Sequence, residues 1–255
     1  MLEHRIQAER EKKDILLMTH LVLGYPSFEE NRKLIGQMAD AGVELIELQI
    51  PFSEPTSDGP VILKASDAAL KRGTTVAECL QFAREVCATY PEIMFLFMTY
   101  GNILVAFGIE QFVSTAKQLG IQGLIIPDLP PEEGEMYLAA CRQWELAPIF
   151  IFTPTNTVER LQQLAQVSQG LVYCVGRRGV TGKKTDFTHD LEERLALYRS
   201  VTDLPLALGF GVRAKADIDF LKGKVDIAVI GTQVLRIHEE QGAEAVGAFL
   251  KGLRI

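Results

Sequence analysis

Two carboxylates stand close together in ELIELQIPFSEPTSDGP, residues 44–60. Glu47 lies inside a short apolar run. Residues of equal parity in a strand share a face, so it points with Leu45 and Gln49 and away from Glu44, Ile46 and Leu48. Glu44 opens the run, where solvent can reach it. A carboxylate turned toward a packed interior costs several kcal/mol unless it is paired or kept near a wet opening. Glu47 is therefore either a structural acid satisfied by hydroxyls or Arg, or an acid held for proton transfer. Asp58 follows in a turn-rich loop bent by Pro51, Pro55 and Gly59-Pro60. It has two readings as well: N-cap of a helix over 60–72, or second acid of a pair. Two carboxylates at the end of one strand and in its loop suit general acid–base chemistry between them.

Glycines mark a second candidate feature. GFG (209–211) and IGT (230–232) each end an apolar run, and GRRGVTGKK (176–184) follows another. Glycine lets backbone N–H groups approach an anion, and a helix N-terminus adds favourable dipole charge. Alone, GFG is equally well an ordinary strand end.

The elements that must position these residues are legible as a repeat. Eight apolar runs occur: 15–23, 44–50, 94–99, 123–127, 147–152, 170–175, 204–209 and 227–231. Most are nearly continuous rather than alternating, as in parallel strands covered on both faces. Helical patterns fall between them, over 28–41, 60–72, 76–90, 109–119, 132–144, 158–167, 191–201, 214–221 and 233–253, with an extra N-terminal helix over 2–12. Thr157 and Thr232 stand at N-cap positions. Eight βα units predict right-handed parallel crossovers and a single (β/α)₈ barrel domain over residues 1–255; a doubly wound open sheet is the alternative. In a barrel, the segments 51–60 and 176–190 both lie on the face where such enzymes place their sites.

Composition removes other classes. The net charge of −7 and the lack of a basic-aromatic stripe argue against nucleic acid as the main partner. Cys79, Cys87, Cys141 and Cys174 form no CxxC pair and read as free thiols of a reducing compartment. No run reaches the length of a membrane span, and the N-terminus is charged without an apolar signal core, which predicts a soluble cytoplasmic protein. No His/Cys ligand cluster is visible, so neither metal nor organic cofactor is expected.

The string IELQIPFSEPTSDGP resembles the signature of the tryptophan synthase alpha-subunit family, [LI]-E-[LI]-G-x-P-[FY]-S-D-P-x-A-D-G-P, and the likeness runs from LGYP (23–26) to the last helix. The resemblance implies a (β/α)₈ lyase that cleaves indole-3-glycerol phosphate to indole and glyceraldehyde 3-phosphate. It further implies that Glu47 transfers protons and that Asp58 accepts the indole N–H hydrogen bond. By position, the indole end falls on His20, Gln49, Met98, Tyr100, Ile125, Pro127, Ile151, Tyr173, Val175 and Phe210. Thr181 would orient Asp58 from the loop after strand six. Gly182, Gly211, Gly231 and Thr232 would line the phosphate, using the loops after strands seven and eight. Glu54, Pro55 and Asp128 would face a pyridoxal-phosphate-carrying beta subunit in an α2β2 tetramer. Unequal surroundings would let one acid hold a proton while the other stays ionised, with Glu47 in an apolar wall and Asp58 in a polar loop.

Several positions depart from the common pattern. His20 replaces an aromatic residue, Gln49 a glycine, Glu54 an aspartate and Thr56-Ser57 an apolar-Ala pair, while Arg178 adds charge beside Arg177. His20 and Gln49, on neighbouring strands, are expected to hydrogen-bond each other. Competing readings are a stand-alone indole-releasing lyase without a beta partner, a weakly active regulatory subunit, and another phosphate barrel such as a flavin enzyme or sugar-phosphate isomerase.

Overall fold

The computed structural model describes residues 1–176, 189–209 and 211–254. The strands are β1 (Leu16–Val22), β2 (Leu45–Gln49), β3 (Met94–Met98), β4 (Gly123–Ile125), β5 (Ala147–Ile149), β6 (Ile151–Phe152), β7 (Val172–Val175), β8 (Leu206–Gly209) and β9 (Ile227–Ile230). All pair in parallel, in the order β5-β4-β3-β2-β1-β9-β8-β7-β6. The two ends of that order, β5 and β6, are consecutive pieces of one apolar run, interrupted at Phe150. Its first half pairs with β4 and its second with β7, so the sheet closes through it into the expected (β/α)₈ barrel and the open-sheet alternative falls away. Nine strands rather than eight result because the backbone must turn at Phe150 to serve both neighbours.

Burial shows why the runs are continuous. One face of each strand joins a large apolar layer beneath the surrounding helices, while the other fills the barrel with Leu16, Met18, Leu45, Met94, Leu96, Met98, Ile125, Ile149, Ala207, Ile227 and Val229. Leu2 and Ile6, on the N-terminal helix Leu2–Arg10, belong to this inner cluster and plug the barrel's N-terminal end. Glu44, at the same end, is buried rather than solvated. It accepts the Leu17 N–H at 2.8 Å, pairs with Lys13, and takes Arg254 Nη2 at 2.7 Å, tying the chain's last turn to its first strand.

The helices start where side-chain caps allow. Ser27 accepts from Glu30 N, Thr75 forms a capping box with Glu78, and Thr157 accepts from Arg160 N. Thr232 is not a cap: the helix Thr232–Gln241 begins at it, with Gly231 in the cap position. The expected helix over 233–253 is two, Thr232–Gln241 and Ala243–Gly252, divided at Gly242, whose φ of +87° no helix accommodates. A short helix, Gly101–Phe107, follows β3, outside the expected helical patterns; seven residues are too few to show a period. No helix among the described residues is long and apolar enough to cross a membrane.

The plug yields a prediction. Ile6 is fully buried, so Ile6→Ala should lower unfolding free energy by about 2–5 kcal/mol, seen as a lower urea midpoint at unchanged slope. A wild-type midpoint would mean that the helix only rests on the barrel.

Candidate active site

The interior changes character toward the C-terminal ends of the strands. Below, the inner residues are aliphatic; above, they are His20, Glu47, Gln49, Tyr100 and Tyr173. The strand register decides which of them meet. His20 is directly opposite Glu47, and Glu47 opposite Leu96; Gln49 lies one inner level higher, opposite Val22 and Met98.

His20 Nδ1 lies 3.0 Å from Glu47 Oε1, and both side chains are about 5% exposed. Gln49, fully buried, donates Nε2–H to Asp58 Oδ2 at 2.7 Å. Tyr100 donates its hydroxyl proton to the same oxygen at 3.0 Å and accepts the Ser57 N–H at 3.2 Å, pinning the loop after β2. Gln49 lies close enough to His20 to raise its proton affinity, yet His20 Nε2 and Gln49 Oε1 each lack a well-formed hydrogen bond. The level difference along the barrel is the reason. His20 faces Glu47 across the ladder, whereas Gln49 stands where Asp58 folds over the mouth. Asp58 does not cap the following helix with its own position as N-cap; that position is Gly59.

The charges respond to this packing. Burial pushes the Asp58 acid above its ordinary value; the His20 charge and the hydrogen bonds from Gln49 and Tyr100 only partly oppose this, and Glu47 adds to it. Asp58 is thus a half-buried acid, held in its polar loop by Gln49 and Tyr100. For His20, burial disfavours the imidazolium, but the charge and hydrogen bond of Glu47, with the charge of Asp58, outweigh it and raise its proton affinity. Tyr100 and Tyr173 are pushed far up, chiefly by burial, and stay neutral.

Apolar and aromatic side chains stand around these polar groups. Met98, Tyr100 and Ile125 are buried in the inner cluster, with Ile151 and Tyr173 half-buried against it. Pro127 and Val175 lie half-buried at the ends of their strands. Phe52 was not anticipated; it stacks on Tyr100 at 5.0 Å between centroids, 21° from parallel. Its only sequence signal is an aromatic residue beside Pro51, past the point where strand parity applies. Gly209 makes room for Tyr173, since a Cβ there would lie 2.9 Å from the phenol oxygen. Two residues past Gly209, Gly211 has φ +75°, a conformation that favours glycine, and is exposed, while Gly231 and Thr232 are half-buried at the start of the helix after β9. Thr181, Gly182 and Phe210 lie outside the described residues. Glu54 and Asp128 are exposed and Pro55 is buried. Asp128 accepts the Gly101 N–H at 2.8 Å, capping the short helix after β3. Among the described residues, no group of three His, Cys, Asp or Glu side chains could hold a metal ion.

Two carboxylic acids stand over an apolar well, at the end of the barrel where such folds do their chemistry, as in a (β/α)₈-barrel enzyme. Residues 6–251 match the family model described as tryptophan synthase alpha chain. The tryptophan synthase alpha chain of Desulforapulum autotrophicum is 53% identical over 99% of this chain and 100% of that one. Among solved structures, Mycobacterium tuberculosis tryptophan synthase superposes with a TM-score of 0.91 at 29% identity, covering 100% of this chain and 98% of that chain. The tryptophan synthase complex from Pyrococcus furiosus gives 0.84 at 25% identity, covering 93% and 97%. The chain belongs to the tryptophan synthase alpha chain family. Its reaction is the lyase cleavage of indole-3-glycerol phosphate, and the flavin-enzyme and sugar-phosphate-isomerase readings fall away.

The raised Asp58 acid has a measurable consequence. The folded chain binds this proton at a higher pH than the unfolded chain, so ionised Asp58 costs stability at neutral pH. That cost disappears as pH falls through the raised value toward the ordinary 3.8. Asp58→Asn should therefore melt roughly a few degrees above wild type at pH 7, with the gap narrowing toward pH 4. A gap independent of pH would trace the effect to packing instead of charge.

Proposed function

We propose that the mouth of this barrel performs the retro-aldol cleavage with Glu47 as the proton-transfer group and Asp58 as the anion that stabilises the developing indole cation. The observation that carries the reading is the different anchoring of the two acids. Glu47 is held through Oε1 by His20, while its buried Oε2 lacks a hydrogen-bond partner; Asp58 is held through Oδ2 by Gln49 and Tyr100.

Indole C3 must gain a proton before the C3–C1′ bond can break. Glu47 supplies it and, as the carboxylate so formed, takes the proton of the glycerol hydroxyl while the aldehyde forms; the two transfers balance. Positive charge spreads to the ring nitrogen after the first. Asp58 accepts the N–H hydrogen bond, and the burial that raises its proton affinity also strengthens its attraction for that cation. Phe52, Tyr100, Ile125, Ile151 and Tyr173 supply the apolar surface an indole ring requires. Pro127, Val175 and Phe210 extend it, and Thr181 orients Asp58. Gly182, Gly211, Gly231 and Thr232 bind the phosphate, with the N-terminus of the Thr232–Gln241 helix adding dipole charge.

The partner is a tryptophan synthase beta subunit carrying pyridoxal phosphate, in an α2β2 tetramer, with Glu54, Pro55 and Asp128 on the shared side. This chain works in the cytoplasm as one barrel domain over residues 1–255 and itself uses no cofactor.

Turnover of indole-3-glycerol phosphate by the full chain, with and without a beta subunit, tests the activity. Glu47→Gln should lower kcat on the order of 10²- to 10⁴-fold while substrate still binds; near-normal turnover would remove Glu47 from the chemistry. Thr232→Val should raise KM for indole-3-glycerol phosphate roughly tenfold and leave the affinity for free indole alone, since a hydrogen bond to a charged group is worth about 1.5–3 kcal/mol. Equal losses for both ligands would place Thr232 away from the phosphate.

A further inference from the structure

Glu47 has one hydrogen-bond partner among the described residues, and it is a side chain that the common family pattern does not supply. Opposed positions on adjacent parallel strands bring the imidazole of His20 and the carboxyl of Glu47 to 3.0 Å. On the other side of β1, Gly231 follows directly on β9. A Cβ at Gly231 would lie 3.3 Å from the His20 Cβ, so the imidazole stands directly against bare backbone there. The ring is confined between that backbone and Glu47, with about 5% of its surface exposed. Opposite Glu47 on the next strand is Leu96, which offers no donor.

We propose that His20 is a positioning residue for Glu47: by donating Nδ1–H to Oε1 it fixes the carboxyl group and leaves Oε2 as the oxygen that exchanges protons with substrate. The inference rests on Glu47 being the proton-transfer group. A buried carboxylate with neither oxygen bonded would rotate toward any donor within reach or draw in water, and a displacement of about 1 Å at a reacting group can cost on the order of 10²-fold in rate. His20 prevents this from the ladder position opposite Glu47. The charged groups facing the imidazole are Glu47 from β2 and Asp58 from the following loop; β9 presents only Gly231. Both carboxylates favour the imidazolium, which strengthens the Nδ1–H donation. Tyr173, which also feels both acids, remains a neutral phenol.

A bulk-filling role for His20 makes the opposite predictions. A phenyl ring fills the space and donates nothing. An Asn side chain is smaller, yet its amide N–H reaches the position of imidazole Nδ1. The test is steady-state cleavage of indole-3-glycerol phosphate by the full chain carrying His20→Phe, His20→Asn, Glu47→Gln, or His20→Phe together with Glu47→Gln. His20→Phe should lower kcat on the order of 10- to 100-fold with KM within about threefold, and His20→Asn should recover most of that loss. In the Glu47→Gln background, His20→Phe should have no further effect on the residual rate, because its influence passes through Glu47. Wild-type kcat in His20→Phe would overturn the proposal, as would an equal further loss in the double variant. Should His20→Asn fail to fold, the comparison of His20→Phe in the two backgrounds still decides. If wild type itself fails to cleave the substrate, or Glu47→Gln retains full activity, the functional reading fails; if those two behave as expected and only the His20 outcomes differ, the positioning role fails alone.

Discussion

An acid inside an apolar barrel needs a donor, and the upper half of this molecule is arranged around that need. Glu47 stands among Leu96, Met98 and Tyr173, where a buried carboxyl group is costly without a hydrogen-bonding partner. Its compensation comes across the ladder from His20, at 3.0 Å, because β1 and β2 pair in a register that sets the two opposite each other. A slip of one residue would turn Glu47 toward the helices and put Leu48 inside. The register is therefore a functional quantity here, held by the continuous apolar faces packed on either side of the sheet.

The second acid is handled differently. Asp58 comes from a loop, and a loop can swing away. Tyr100 holds it in two ways, through the carboxylate and through the Ser57 N–H, while Phe52 stacks on the same ring. Gln49 adds a third hold from inside the barrel. A protein with glycine at position 49 would lack that amide, and Asp58 would meet the substrate with one anchor fewer. The substitutions that set this chain apart from the common pattern thus act as one donor for each acid.

The barrel's two ends divide the work. At the N-terminal end, charged groups are spent on structure: Glu44 gathers Leu17 N–H, Lys13 and Arg254, and Asp226 collects Arg10, Arg199 and the Leu206 N–H. At the C-terminal end, His20 Nε2, Glu47 Oε2 and Gln49 Oε1 are left buried and unpartnered. A pocket can use such atoms only if the rest of the fold supports their cost, and the plugged, ion-paired base provides that support.

Much of this was readable before any coordinates. Sustained βα alternation, the inward parity of Glu47 and Gln49, the site loops at one face, and the spacing of Glu47 and Asp58 are all properties of local order along the chain, where side-chain period and turn chemistry act over a few residues. Tertiary structure alone decided the rest. It split the fifth run at Phe150 so that one segment could serve two neighbours, buried Glu44 beneath the chain's last turn, and brought Phe52 onto Tyr100. Above all, it set His20 opposite Glu47 and brought Gln49 onto Asp58. Parity says which face a residue takes, but the partner it finds depends on the level at which neighbouring strands are registered, and that is set by packing across the whole barrel.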